Sequence, residues 1–163
     1  MRFFSNRQYN SLCLLLVLTI LGTAVYLQIG LGLEPCPLCL LQRFCFILLG
    51  LLFLFGIFYS PRKLGHIIHG SLIFLVAVLG GIIAGRQIWL QHLPAGQAPA
   101  CMPGFYYLLQ HFPLGEALPI IFKGSEDCAD TQWLFLHLSM AEWSLAFFTL
   151  FAVWGVVQMV KRD

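Results

Sequence analysis

The sequence predicts an all-α protein, a four-helix transmembrane bundle with both termini on one side and two loops on the other. Three observations carry that prediction. The 163 residues are 60% hydrophobic and 10% charged, with a mean hydropathy of +0.85, whereas soluble domains carry about 25% charged residues. Four stretches, 8–33, 44–61, 64–85 and 143–160, hold no Asp, Glu, Lys or Arg, and roughly 20 residues cross a bilayer core as a helix. Six of the nine basic residues also fall on one side of a four-span chain. Arg2 and Arg7 precede the first span, Arg62 and Lys63 separate the second from the third, and Lys161 and Arg162 follow the fourth.

Lys and Arg gather in cytoplasmic segments, so both termini and the 60–65 turn are expected in the cytoplasm. Glu34, Glu116, Glu126, Asp127, Asp130 and Glu142 lie in the opposite loops. The chain reads as one integral membrane domain, 1–163, with spans at about 10–30, 42–60, 65–90 and 142–160. The outer loops are then about 31–41 and 91–141. The net charge of +2 leaves no basic stripe once topology accounts for the cations, which argues against nucleic-acid binding.

Each span has its own local logic. The apolar run from Ser11 to Ile29 exceeds the roughly 7–15 residues of a signal-peptide core and has no small-x-small cleavage site, so a retained helix is expected. It ends near Gly30 and Gly32. Pro37 suits the first turn of a helix, where a missing N–H costs nothing, so the second helix begins at or just after Cys36. Ser60-Pro61 breaks it. In the third span Gly80, Gly81, Ala84 and Gly85 form a small face for close helix packing. His66 and His69, near its start, are expected to be interfacial or packed polar residues. The second outer loop contains "GFYYLLQHF" and "LPIIF", too short to span and suited to lie along the membrane surface with Tyr106, Tyr107 and Trp133 at headgroup level. Arg86 is expected to snorkel toward headgroups.

Six cysteines divide by position. Cys13 and Cys45 sit inside the first two spans, where a thiol behaves as a small hydrophobe. Cys36, Cys39, Cys101 and Cys128 all lie in the outer loops, on the oxidising side where disulfides persist. The pair in "GLEPCPLCLLQR" stands at a helix start, where orphan N–H groups and the positive end of the helix dipole favour thiolate. Arg43 follows Cys39 by four residues, on the same helix face. A stable thiolate is the attacking and leaving species in disulfide exchange, so the motif points to a reactive dithiol.

Three other readings of the cysteines compete. Zinc is disfavoured because Cys101 and Cys128 are far apart and there is no second close pair, so no metal is expected. Attachment of c-type haem needs His after the second cysteine, and Leu40 stands there. Two purely structural disulfides remain the main alternative, although a staple across two residues closes little loop.

Four spans, "CPLCLLQR" at the start of the second helix and "PAC…EDCADTQW" in the second outer loop resemble the DsbB family of bacterial disulfide bond formation proteins over nearly the whole chain. The resemblance implies a multi-pass protein of the bacterial inner membrane whose active loops face the periplasm. It implies two redox disulfides, Cys36–Cys39 and Cys101–Cys128. The second would reoxidise a soluble thioredoxin-fold partner, DsbA-like, through a mixed disulfide at Cys101. Electrons would reach the first pair through a transient Cys36–Cys128 bond and leave Cys39 for a membrane quinone, ubiquinone or menaquinone. Arg43 matches the family's quinone-site arginine. His92 matches a family residue that contacts the quinone ring, although the loop before Cys101 is shorter here than in the family. The other readings are an ordinary interfacial histidine at His92 and snorkelling to headgroups at Arg43. The alternatives are a paralogue serving a dedicated partner and a non-catalytic scaffold stapled by two disulfides.

Overall fold

The computed structural model describes residues 6–33, 35–58, 63–94, 111, 113–124, 126–129 and 134–160. Four long helices run through it: α1 (Asn6–Gly30), α2 (Pro37–Phe58), α3 (Lys63–Gln91) and α6 (Met140–Val160). All four are long and apolar enough to cross a membrane. Between α3 and α6 lie two short helices, α4 (Leu114–Lys123) and α5 (Glu126–Ala129), and a hairpin of β1 (Leu134–Phe135) and β2 (Leu138–Ser139). Helix α2 starts at Pro37, ahead of the span expected from about residue 42. Arg43 interrupts the charge-free run without interrupting the helix.

Leu15 of α1, Phe58 of α2, Leu79 of α3 and Val153 of α6 all point outward and are exposed. A continuous apolar exterior of this kind marks a lipid-facing surface. The interior is aromatic. Phe46 stacks on Phe148 with centroids 4.2 Å apart, and Phe53 meets Phe151 at 5.3 Å. Cys45 is buried in this core and Cys13 packs against it, as expected of thiols acting as small hydrophobes.

Helices α3 and α6 share the largest interface, and small residues set their approach. A methyl group on Gly155 would sit 2.8 Å from the Gly70 carbonyl oxygen, and one on Gly80 would run into the Phe148 ring. Ala84 is fully buried in the same core. At Gly85, expected on this face, an added methyl group would meet open space.

At the end of the bundle that bears the termini, one polar network joins all four helices. His69 Nε2–H of α3 donates to the Leu52 carbonyl of α2 at 2.9 Å, since a carbonyl can only accept. Its Nδ1 lies 2.9 Å from the Gln158 side-chain amide of α6, which in turn meets Asn10 of α1 at 2.8 Å. Asn10, His69 and Gln158 are all buried. Gly56 leaves the space they occupy, because a Cβ there would lie 2.6 Å from the Asn10 amide nitrogen. His69 is therefore a packed polar residue.

At the loop end, Ser139 and Glu142 form a reciprocal cap on α6. The Ser139 N–H donates to Glu142 Oε2 at 2.6 Å, and the Glu142 N–H donates to Ser139 Oγ at 3.3 Å. This is the S-x-x-E capping box, which satisfies two orphan donors at once. Ser139 Oγ also donates to Gln91 Oε1 at 2.9 Å, tying the start of α6 to the end of α3. Leu136 and His137 carry the hairpin turn with φ of 53° and 64°, the conformation that a two-residue hairpin turn requires.

A buried dithiol centre at the head of α2

The site is assembled from three segments of chain, beginning with the first outer loop. Helix α1 ends at Gly30, and the chain returns through Pro35 to Cys36, the residue just before α2. Cys36 therefore occupies the N-cap position and Cys39 the third helical position. The Cys36 carbonyl accepts the Leu40 N–H at 3.1 Å, and Cys36 Sγ accepts the Cys39 N–H at 3.3 Å. A sulfur thus fills the role that a Ser or Asp oxygen plays in an ordinary cap. The spacing of the motif follows from this geometry, which holds the Cys36 and Cys39 sulfurs 3.0 Å apart.

The second segment brings Cys128. Helix α4, the stretch containing "LPIIF", buries Ile121 against Leu41 of α2. Its last carbonyl, Lys123 O, accepts from Arg86 Nη2 of α3 at 2.9 Å, while the Arg86 guanidinium sits 4.3 Å above the Trp89 ring. Arg86 thus fastens α4 to α3, a task beyond the snorkelling expected of it. Gly124 then turns the chain with φ of 80° beside Leu90, leaving no room for a side chain. Four residues later Cys128 is fully buried against Cys36, Leu38 and Leu90. Its thiol hydrogen-bonds that of Cys36.

The third segment is α3, which contributes a residue that the sequence motif does not contain. Gln87 is buried, and its Nε2 lies 3.2 Å from Cys39 Sγ and 3.6 Å from Cys36 Sγ. Its Oε1 accepts from Gln42 Nε2 of α2 at 2.7 Å. The available signal for Gln87 was a polar side chain inside an apolar span, which is costly and therefore informative. Three thiols and one amide make up the centre. Within it Cys36 is held well above the ordinary cysteine range, first by its hydrogen bond to Cys128, then by its hydrogen bond to Cys39, and then by burial.

Arg43 and His92 make their hydrogen bonds to other groups than the sulfurs. The Arg43 guanidinium reaches across to α1, where Nη2 donates to the Ala24 carbonyl at 2.9 Å and Nη1 donates to Gln28 Oε1. It is Gln87, not Arg43, whose N–H faces the dithiol. Ala24 also lines an apolar cavity of about 480 Å³ between α1 and α6, bounded by Thr19, Thr23, Phe135, Trp143 and Phe147 among others. His92 is exposed just beyond α3, and its Nδ1–H donates to the Ile88 carbonyl at 2.8 Å. Cys101 lies outside the described residues, as do Tyr106, Tyr107 and Trp133. No group of three His, Cys, Asp or Glu among the described residues is arranged to hold a metal ion.

Comparison with known proteins gives a consistent picture. The family model described as "Disulfide bond formation protein DsbB" matches residues 6–158. The chain is 43% identical to "Disulfide bond formation protein B" of Hahella chejuensis over 154 residues, 94% of this chain and 93% of that one. It is 42% identical to "Disulfide bond formation protein B 1" of Pseudomonas aeruginosa over 158 residues, 97% of each chain. To "Disulfide bond formation protein B" of Azoarcus sp. it is 44% identical over 138 residues, covering 83% of this chain and 82% of that one.

Proposed function

This chain belongs to the DsbB family of disulfide bond formation proteins, and from that premise we propose that it is a quinone-linked oxidase of protein thiols in the bacterial inner membrane. Both termini face the cytoplasm and the dithiol centre faces the periplasm, a reading supported by the six clustered cations.

In the proposed cycle a DsbA-like thioredoxin-fold partner presents its reduced dithiol to the Cys101–Cys128 disulfide. One partner thiolate attacks Cys101, the Cys101–Cys128 bond breaks, and its electron pair stays on Cys128. The partner's second thiolate then displaces Cys101, so the partner leaves oxidised. The Cys128 thiolate attacks Cys36, forming the inter-loop bond while the Cys36–Cys39 pair of electrons stays on Cys39. Cys101 finally displaces Cys36 from Cys128, which restores the second-loop disulfide and leaves Cys36 and Cys39 reduced.

The observation that carries this reading is the contact between Cys128 and Cys36. A static staple occupies two sulfurs. Three sulfurs within one buried cluster are the arrangement that exchange needs, because the attacking, central and leaving atoms must be adjacent.

A bound quinone supplies the two-electron, two-proton acceptor that returns Cys36 and Cys39 to a disulfide. The residues here suit such a group. The two hydrogen bonds of Arg43 leave further guanidinium N–H groups to meet a ring oxygen. The apolar cavity beside Ala24 suits an isoprenoid tail. His92 Nε2, with Nδ1–H committed to Ile88, is an acceptor for a hydroxyl of the reduced ring. The test is purified protein given a reduced thioredoxin-fold donor and ubiquinone or menaquinone, followed by loss of quinone absorbance. Turnover that disappears in Cys36→Ala is expected. A donor that is never oxidised would leave the stapled scaffold as the better reading.

A further inference from the structure

Burying a glutamine inside an apolar helix is costly unless its amide is hydrogen-bonded. Gln42 and Gln87 face each other across α2 and α3, and both are buried. One bond between them, Gln42 Nε2 to Gln87 Oε1 at 2.7 Å, fixes which way the Gln87 amide points. With its oxygen bonded to Gln42, its nitrogen is the nearer atom to the sulfurs, 3.2 Å from Cys39 and 3.6 Å from Cys36, while the oxygen stands farther from Cys39 at 3.6 Å. The opposite amide orientation would exchange the two, putting the carbonyl oxygen in the nearer position, where it would repel negative charge on Cys39.

We propose that Gln87, oriented by Gln42, selects Cys39 as the sulfur that carries the negative charge when the Cys36–Cys39 bond opens. The inference rests on the exchange reading above and adds a catalytic residue, Gln87, and a positioning residue, Gln42. When Cys128 attacks Cys36, a new Cys36–Cys128 bond forms and the old bond breaks. Its electron pair passes to Cys39, where the Gln87 N–H already points. No proton leaves the amide. Cys36, by contrast, donates toward Cys39 and keeps its proton in the reduced centre.

Among the described residues the titratable groups facing Cys39 are Cys36 and Cys128, and Arg43, the nearest cation on its own helix, makes its hydrogen bonds to α1. The backbone N–H of Cys39 points the other way, to Cys36 Sγ, so among the described residues the Gln87 amide and the Cys36 thiol are the uncharged donors that favour charge on Cys39. A purely structural role, clamping α2 to α3, predicts lost stability but no change in how the sulfurs titrate.

The experiment uses the full chain in detergent, reduced, with neither quinone nor donor present. Iodoacetamide labelling of Cys39 is followed against pH by peptide mass spectrometry, with Cys13 as the internal control for global disturbance. In Gln87→Met, which keeps the length without the donor, the Cys39 profile moves to higher pH by about one unit, a tenfold loss of labelling on its rising limb. Gln42→Met moves it the same way by a smaller amount, and adds nothing in the double variant because it acts through Gln87. Cys13 labelling stays in place. An unmoved Cys39 profile in either single variant, or shifts that add in the double variant, overturns the proposal. Because no quinone enters the assay, failure of the quinone reading would leave this result untouched.

Discussion

Two buried polar clusters sit at opposite ends of the same bundle. Leu52 lies about 22 Å along α2 from its start, given a rise of 1.5 Å per residue. At the termini end, Asn10, His69 and Gln158 bond to one another and to the Leu52 carbonyl, joining all four long helices. Every partner there is a good oxygen or nitrogen, and nothing in the network can exchange a covalent bond. At the loop end, Cys36, Cys39 and Cys128 crowd together with one amide. Sulfur is a weak hydrogen-bonding atom, so this cluster is poorly satisfied by the same standard. The first cluster fastens the bundle. The second is held in place by its surroundings and left reactive.

Substitutions should separate the two ends. Cys39→Ala or Cys36→Ala should abolish donor oxidation while leaving the thermal midpoint in detergent nearly unchanged, since one small side chain replaces another. Gln158→Leu should do the reverse. It strips partners from Asn10 and His69, at a cost of about 1–3 kcal/mol for buried polar groups left unsatisfied, with turnover per folded molecule retained. Loss of turnover in Gln158→Leu at full stability would break the distinction.

A smaller effect is expected at Arg43, on the quinone step alone. Charge-assisted hydrogen bonds contribute about 1.5–3 kcal/mol, so Arg43→Ala should weaken apparent quinone affinity or rate by roughly tenfold to hundredfold. Lysine keeps the charge but not the planar fork, so Arg43→Lys should fall between. Steady-state kinetics with quinone varied at saturating donor reads this. A defect that follows donor concentration instead would leave Arg43 as a tie between α2 and α1.

The smallest effect concerns how Cys36 titrates. Its bond to Cys128 is the first cause holding its thiol above the ordinary range, so the reduced wild type should label at Cys36 slowly and only toward high pH. Cys128→Ala removes that cause, and the Cys36 labelling profile should then move to lower pH. An unchanged profile would mean that the two thiols do not interact in solution.

Much of the architecture was legible because charge is so costly in a bilayer. The four charge-free runs became α1, α2, α3 and α6, and Pro37 marked the start of α2. The cysteine motif was legible because its spacing is that of an N-cap and the third helical position. Other parts were hidden for physical reasons. The contact of Cys128 with Cys36 depends on Arg86, Gly124 and Leu90 folding the second loop back, and no local pattern encodes it. The hairpin turn uses Leu136 and His137 where Asn-Gly would have announced it. Gln87 carried only the signal of a polar residue in an apolar span, and its meaning depends on Gln42, which faces it from another helix.

The central claim, that Cys128 and Cys36 are the junction between the two loops, can be tested by removing the other loop cysteines. In a Cys39→Ala, Cys101→Ala chain, mild oxidation with diamide leaves Cys36 and Cys128 as the remaining loop thiols. Mass spectrometry of unreduced peptides should then find them joined in most molecules, with Cys13 and Cys45 still free. If Cys36 and Cys128 instead remained separately alkylatable under the same oxidation, the two loops would not meet at these sulfurs, and the relay through them would be contradicted.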